Sequence, residues 1–189
     1  MSDHRSLELA GTAPPAGQQL SNQAIIADIG GSTYGIPVQD LVEVEHVPNI
    51  APVPNTRDWL RGVVNLRGAI LTLIDPARLL DVGEWNPSPL SRMLVVDRED
   101  PVALAVDRLR GMRQLNDPVS LDLLDDMPGK VADYVEAIYR DGDAFIRVVD
   151  IRRLLNDADT AASRSSESMP HAGGGPLEDD ISVMERGAS

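Results

Sequence analysis

The chain has 189 residues, 42% of them hydrophobic, with a formal net charge of −13 and no cysteine. That is enough apolar material for one core of ordinary domain size. The missing cysteine excludes disulfides, Cys-ligated zinc, iron–sulfur clusters and a thiol nucleophile.

The negative charge repels phosphate backbones and anionic membrane surfaces. Of 17 basic residues, only Lys130 is a lysine. No basic segment followed by an apolar run opens the chain, and no apolar run approaches the ~20 residues needed to cross a bilayer. The expectation is a soluble, cytoplasmic protein without direct membrane insertion.

Residues 1–22 lack any period and carry Pro14-Pro15 between glycines, so they read as a flexible leader. Ala24 to Ile29 reads as the first strand, Gly30-Gly31-Ser32 as a turn, and Thr33 to Val38 as the returning strand. Leu41 to Val47 alternates imperfectly; it fits a strand or a distorted helical turn, with a strand ending before Pro48 favoured. Pro48 to Pro54 is a loop. Asn55 and Thr56 are cap-type residues, which predicts one helical turn at Arg57-Asp58-Trp59-Leu60.

The stretch from Trp59 to Asp75 organises the chain. Val63 to Leu66 and Ala69 to Ile74 are apolar runs rich in β-branched residues, separated by Arg67-Gly68. That pattern predicts a hairpin turning at or near Gly68, approached by Arg61 and Asn65. Arg67 then sits at a rigid tip. It reads either as a solvated turn residue or as an arginine fork suited to a carboxylate on another protein. Asp75-Pro76 caps a short helix that continues through Leu80.

Met93 to Asp97 and Val102 to Val106 read as strands joined by a turn at Arg98 to Pro101. A bend is expected near Arg110-Gly111, and Met112 to Leu115 resumes the sheet. Leu121 to Gly129 reads as a loop or a short helix. Val135 to Tyr139 and Ala144 to Val149 form a hairpin around Asp141-Gly142. Asp150 caps a last helix over Ile151 to Leu155.

Residues 157–189 carry seven acidic side chains and two arginines among Ala, Ser and Gly, the composition of a disordered acidic tail. Leu177, Ile181, Val183 and Met184 lie at near-helical spacing there. They read either as a docking peptide or as part of an inert tail.

Two stretches echo one another: Leu73 to Leu80 and Val148 to Leu155. Each follows a hairpin, and each runs Asp cap, then helical turns. About ten short strands with almost no long helix predict an all-β barrel architecture of two related subdomains, with a crevice between them.

Catalytic sets do not stand out. His4 and His171 lie near the ends, which leaves only His46 in the folded part, so a His-dependent triad is not expected. Lys130 is outside any P-loop frame. One Phe, three Tyr and two Trp supply no stacking platform for nucleic acid.

With these residues in view, the chain resembles the CheW family of chemotaxis coupling proteins over roughly residues 22–156. The carriers are Val53-Pro-Asn-Thr56, Leu60-Arg-Gly-Val-Val-Asn-Leu-Arg-Gly68 and Ile74-Asp75. Tyr34-Gly35-Ile36, Val42-Glu43-Val44, the strand from Val102 to Asp107 and the closing Asp150 to Leu155 support them. The resemblance implies two intertwined five-stranded SH3-like β-barrels over residues 23–156, no catalysis and no cofactor. It implies an adaptor between the cytoplasmic tips of methyl-accepting chemoreceptors and the regulatory domain of a CheA-like histidine kinase. By position, Arg67 is similar to the family's receptor-coupling arginine and Glu43 to its acidic companion. Leu41, Leu109 and Met112 fall where the family lines an inter-barrel groove. Three positions depart from the family's habit: Arg57 replaces a frequent Pro, Arg108 a frequent Gly, and Ala27 a frequent aromatic. A different class of reading rests on acid content and the crevice: a small-molecule-binding or enzymatic barrel using carboxylate chemistry.

Overall fold

A computed structural model of the chain describes residues 23–100, 102–121 and 127–166, with side chains through 162. The leader, Pro101, residues 122–126 of the expected loop or helix, and the tail from 167 with its apolar peptide all lie outside the described residues.

The chain begins with a hairpin of β1 (Gln23–Ile29) and β2 (Ser32–Pro37) and a 3-10 turn at Val38–Asp40. It then lays down β3 (Leu41–His46), β4 (Ile50–Ala51), β5 (Leu60–Leu66), β6 (Ala69–Ile74) and α1 (Pro76–Leu79). The sequence of elements then repeats. A hairpin of β7 (Arg92–Val96) and β8 (Val102–Val106) is followed by β9 (Arg108–Gln114) and β10 (Pro118–Val119). After α2 (Val131–Tyr134) come β11 (Val135–Asp141), β12 (Ala144–Val149) and α3 (Ile151–Ser166).

Two six-stranded sheets result, ordered β10-β11-β12-β2-β1-β9 and β4-β5-β6-β8-β7-β3. The two orders correspond strand for strand, so the echo at Asp75 and Asp150 reflects a repeat of the whole unit. Even the closing hydrogen bonds match: Asp75 N–H donates to the Trp59 carbonyl and Asp150 N–H to the Tyr134 carbonyl, both at 2.8 Å. The all-β, two-subdomain expectation holds. The strand count is six per sheet rather than five, because two-residue β4 and β10 were too short to read.

Three other expectations are corrected. Residues 57–59 form a turn, not a helical turn: Asn55 takes a φ of 57°, and the Thr56 hydroxyl donates back to the Val53 carbonyl at 3.1 Å instead of capping forward. The bend at Arg110-Gly111 is a β-bulge in an unbroken β9, opposite the register shift between Ile26 and Ala27. The last helix does not stop at Leu155; it runs to Ser166, through the first ten residues of the segment read as tail.

The apolar residues sort into three clusters. Val64, Leu71, Leu73, Trp85, Met93, Val95, Ala103 and Ala105 fill the second sheet's barrel. Ala24, Ile26, Leu115, Ile146 and Val148 fill the first. The largest cluster lies between them, drawing Ala27, Ile29, Tyr34 and Ile36 from the first sheet and Ile74, Leu94, Val96 and Leu104 from the second. Alternation explains the division: Met93 and Val95 face the barrel interior, while Leu94 and Val96 face the shared core. Strands buried on both faces lose the polar half of the pattern, and all five residues of β8 are buried.

The Asp75 carboxylate, 0% exposed, ties one barrel together. It accepts from the backbone N–H of Ala77 (3.0 Å) and Arg78 (3.3 Å) at the start of α1, and from Trp85 N–H at 2.8 Å. Trp85 in turn donates its indole N–H to the Val106 carbonyl at 3.3 Å. Asp150, the equivalent cap, accepts from Arg153 N–H at 2.9 Å and is only half-buried.

Matching bulges open both hairpins, at Leu60/Gly62 and Val135/Ala137. The extra residues are Arg61 and Glu136. The Arg61 guanidinium lies over the Trp85 ring at 5.9 Å. Glu136 is half-buried, and burial together with the Asp150 and Asp40 carboxylates pushes its pKa up to about 7.

Two stability outcomes are expected. Asp75→Ala should lower the unfolding free energy by about 3 kcal/mol in a urea titration, because three backbone donors, two of them buried, lose their acceptor, while Asp150→Ala should cost only about 1 kcal/mol. Glu136 binds its proton more tightly folded than unfolded. Its contribution is therefore full below the unfolded value near 4.5 and is lost as pH rises through about 7. Glu136→Gln should leave stability unchanged at about pH 4 and raise it at about pH 8, by about 1–2 kcal/mol after allowance for solvent screening.

Candidate interaction site at the β5–β6 tip

The β5–β6 hairpin turns over two residues, with Leu66 paired to Ala69 and both Arg67 (φ 52°) and Gly68 (φ 93°) in the left-handed region. Gly68 adopts this freely; Arg67 does so at a cost of about 1 kcal/mol. The Asn65 side-chain carbonyl stabilises the turn by accepting Gly68 N–H at 2.8 Å. These features lift Arg67 to the tip, where its side chain is 69% exposed.

The guanidinium is nonetheless engaged. Nη1 donates to Glu43 Oε2 at 2.7 Å, and Nη2 donates to Glu45 Oε1. Glu43 and Glu45 are two apart on β3 and so project from one face. β3 lies at one edge of its sheet and β5 beside the opposite edge. The pairing of Arg67 with both glutamates shows the sheet rolled until its ends face each other. Each pair is solvent-exposed and salt-screened, contributing at most about 1 kcal/mol. The cluster holds two carboxylates against one guanidinium, a local charge of −1.

The expected tip arginine is therefore in place, but its fork already holds two carboxylates of its own chain. Glu43 is its partner; Glu45 was not anticipated, although the Glu43-Val44-Glu45 alternation put both acids on one face. Of the approach residues, Asn65 shapes the turn, while Arg61 lies at the far end of β5 over Trp85.

The three apolar positions are not gathered into one cluster. Leu41 packs against the central core. Leu109 is half-buried opposite Ala27, and Met112 is 54% exposed opposite Ile25; neither belongs to any of the three apolar clusters. Leu41 and Leu109 occupy equivalent places, each near the start of a strand that crosses between sheets. Two further exposed apolar residues lie near the tip in sequence or pairing: Ile70 at the start of β6, and Val42 in the bulge of β3. Among the described residues, no group of three or more His, Asp or Glu side chains is placed to hold a metal ion.

Comparison with known proteins agrees with this architecture. The protein PilI of Pseudomonas aeruginosa is 32% identical over 116 residues, covering 59% of this chain and 64% of that protein, slightly less than two thirds of its length. The chemotaxis protein CheW of Bacillus subtilis is 26% identical over 157 residues, covering 82% of this chain and 94% of that protein. The crystal structure of the scaffolding protein TtCheW from Thermoanaerobacter tengcongensis superimposes with a TM-score of 0.60 at 21% identity, covering 75% of this chain and 92% of that one. The CheW-like domain model matches residues 23–159, and the chain belongs to that family.

Proposed function

We propose that the protein is a non-catalytic adaptor of a chemosensory pathway, joining the cytoplasmic tips of methyl-accepting chemoreceptors to the regulatory domain of a CheA-like histidine kinase. The observation that carries this is the exposed ionic cluster of Arg67, Glu43 and Glu45, held on a rigid hairpin in a chain whose described part is almost wholly a CheW-like domain. Relatives named CheW and PilI favour this reading over an enzymatic or small-molecule-binding barrel.

On the receptor side, Arg67 and Glu43 supply the polar contact, and Leu41, Leu109 and Met112 the apolar one. Met112 offers the largest accessible apolar surface of the three. Exposed strand edges and barrel ends meet the kinase. Single interfaces of this kind are modest, and linked contacts in an array multiply them. The pathway serves flagellar chemotaxis, pilus-based motility or another chemosensory response, in keeping with relatives named chemotaxis protein CheW and PilI. No helix among the described residues is long and apolar enough to cross a membrane.

Reconstituting the chain with the kinase and receptor from the same organism tests the reading. Arg67→Glu puts three carboxylates together and should reduce receptor-dependent kinase activation at least ~10-fold. The far-UV spectrum should stay unchanged, because the lost pairs are exposed. Met112→Asp should weaken receptor pull-down with the same sparing of the fold. Full activation by the Arg67→Glu protein would remove the tip from the mechanism, and failure to capture the kinase regulatory domain would remove the adaptor.

A further inference from the structure

The two halves of α3 are held by different forces. Ile151, Leu154 and Leu155, at 0%, 2% and 1% exposure, bury the first turns in the central core. Past Leu155, Ala158 is the buried apolar side chain among the described residues. Polar contacts from three separate elements fasten this distal half. The Tyr134 hydroxyl of α2 donates to Asp157 Oδ2 at 3.1 Å. Arg98, between β7 and β8, donates to Asp159 Oδ2 at 2.7 Å. Arg57, ahead of β5, donates Nη2 to the carbonyls of Ala161 (2.9 Å) and Ala162 (3.3 Å).

The two arginine contacts cross the molecule. α3 follows β12 of the first sheet, whereas Arg57 and Arg98 belong to connections of the second. Beside the distal half lies a cavity of about 490 Å³, walled by Arg57, Trp59, Leu79, Tyr134, Leu154 and Ala161. Its apolar wall of Trp59, Leu79 and Leu154 is shared with the central core.

We propose that α3 from Asp157 onward is a strap, clasped by Arg57, Arg98 and Tyr134, that unfastens as a unit while Ile151 to Leu155 stay buried, and that its release further exposes half-buried Trp59 and Leu79 on the facing wall of the cavity. Exposed ion pairs and hydrogen bonds to charged groups are weak and screened by salt, whereas the anchor at Leu154 and Leu155 is apolar and is not. A segment with few buried apolar contacts opens at a lower free energy than the body it rests on. One continuous helix therefore has a firm root and a releasable end.

Hydrogen exchange by mass spectrometry on the full chain tests this, paired with iodide quenching of tryptophan fluorescence. Trp85 is 1% exposed, so added quenching reports Trp59. In the native protein, amides over 157–162 should exchange at least ~10-fold faster than those over 152–155. Raising salt from about 0.1 M to about 1 M, or introducing Arg57→Ala with Arg98→Ala, should widen that gap and increase Trp59 quenching. The thermal midpoint should move by no more than about 2 °C. Asp159→Asn, which leaves both arginines in place, should reproduce part of the effect. Equal protection of the two halves in the double variant would overturn the proposal, as would simultaneous loss of protection over the whole helix. Opening of 157–162 without added quenching would overturn the part concerning the cavity wall.

Discussion

The crossing of the chain between its two sheets constrains everything else in this fold. β3 follows β2 directly yet pairs with β7 in the other sheet, and β9 follows β8 yet pairs with β1. Each sheet therefore takes a two-stranded hairpin, β1-β2 or β7-β8, from the repeat that supplies the rest of its partner. The central core lies at these crossings and draws side chains from both sheets, so neither barrel holds its own apolar surface independently. A chain arranged this way gains its largest burial only when both units are present. This favours cooperative folding of the two repeats as one piece.

Within that frame the repeat has diverged where side chains meet solvent and stayed alike where backbone geometry matters. The bulges at Leu60/Gly62 and Val135/Ala137 keep the same place, and so do the Asp caps. The bulged residues differ: Arg61 has an indole face to lie on, while Glu136 is pressed toward two other carboxylates. Gly62 marks a further limit, since a Cβ there would meet the Ala51 carbonyl oxygen at 2.4 Å, too close for any other residue while β4 stays paired. The tips diverge as well. One presents Arg67 against Glu43 and Glu45, and the other presents Asp141 facing Arg113 at 3.8 Å, with the charges exchanged.

Much of this was legible beforehand because it is written in short-range signals. The Arg67-Gly68 hairpin, the hairpin at Gly142 (its turn shifted by one to Gly142-Asp143, since Asp141 pairs with Ala144), the Asp75-Pro76 cap and the Asp150 cap each depend on a few adjacent residues. What was not legible depends on distant contacts. β4 needs only two residues because Gly62 lets it approach β5 closely, and no periodicity survives in two residues. Asn55-Thr56 carries cap residues, but the strand ladder from Trp59 leaves no room for a helical turn. The extension of α3 past Leu155 is met by Arg57 and Arg98, which lie about a hundred and about sixty residues away. An Ala-, Asp- and Ser-containing stretch offers no core-facing stripe to announce it. Glu45 was missed for a similar reason. A carboxylate on an imperfect strand gains meaning only once the sheet has closed and brought the hairpin tip to it.

That closure changes what the tip arginine can do. An unpaired fork would recognise a partner by capturing its carboxylate. Here both arms are occupied by Glu43 and Glu45, and the cluster is one negative charge in excess. A partner must exchange contacts with the cluster rather than fill a vacancy, so the net gain in affinity is the difference between two exposed pairings and is small. In the proposed adaptor role the arginine would act through position: a preformed, closed tip loses little entropy when it meets another surface. Sharing one guanidinium between two carboxylates also means that one glutamate can turn to a cationic group on a partner while the other keeps Arg67 in place. Under that proposal, recognition would depend on the shape of the rolled sheet holding β3 against the tip, and that shape depends in turn on the crossing strands.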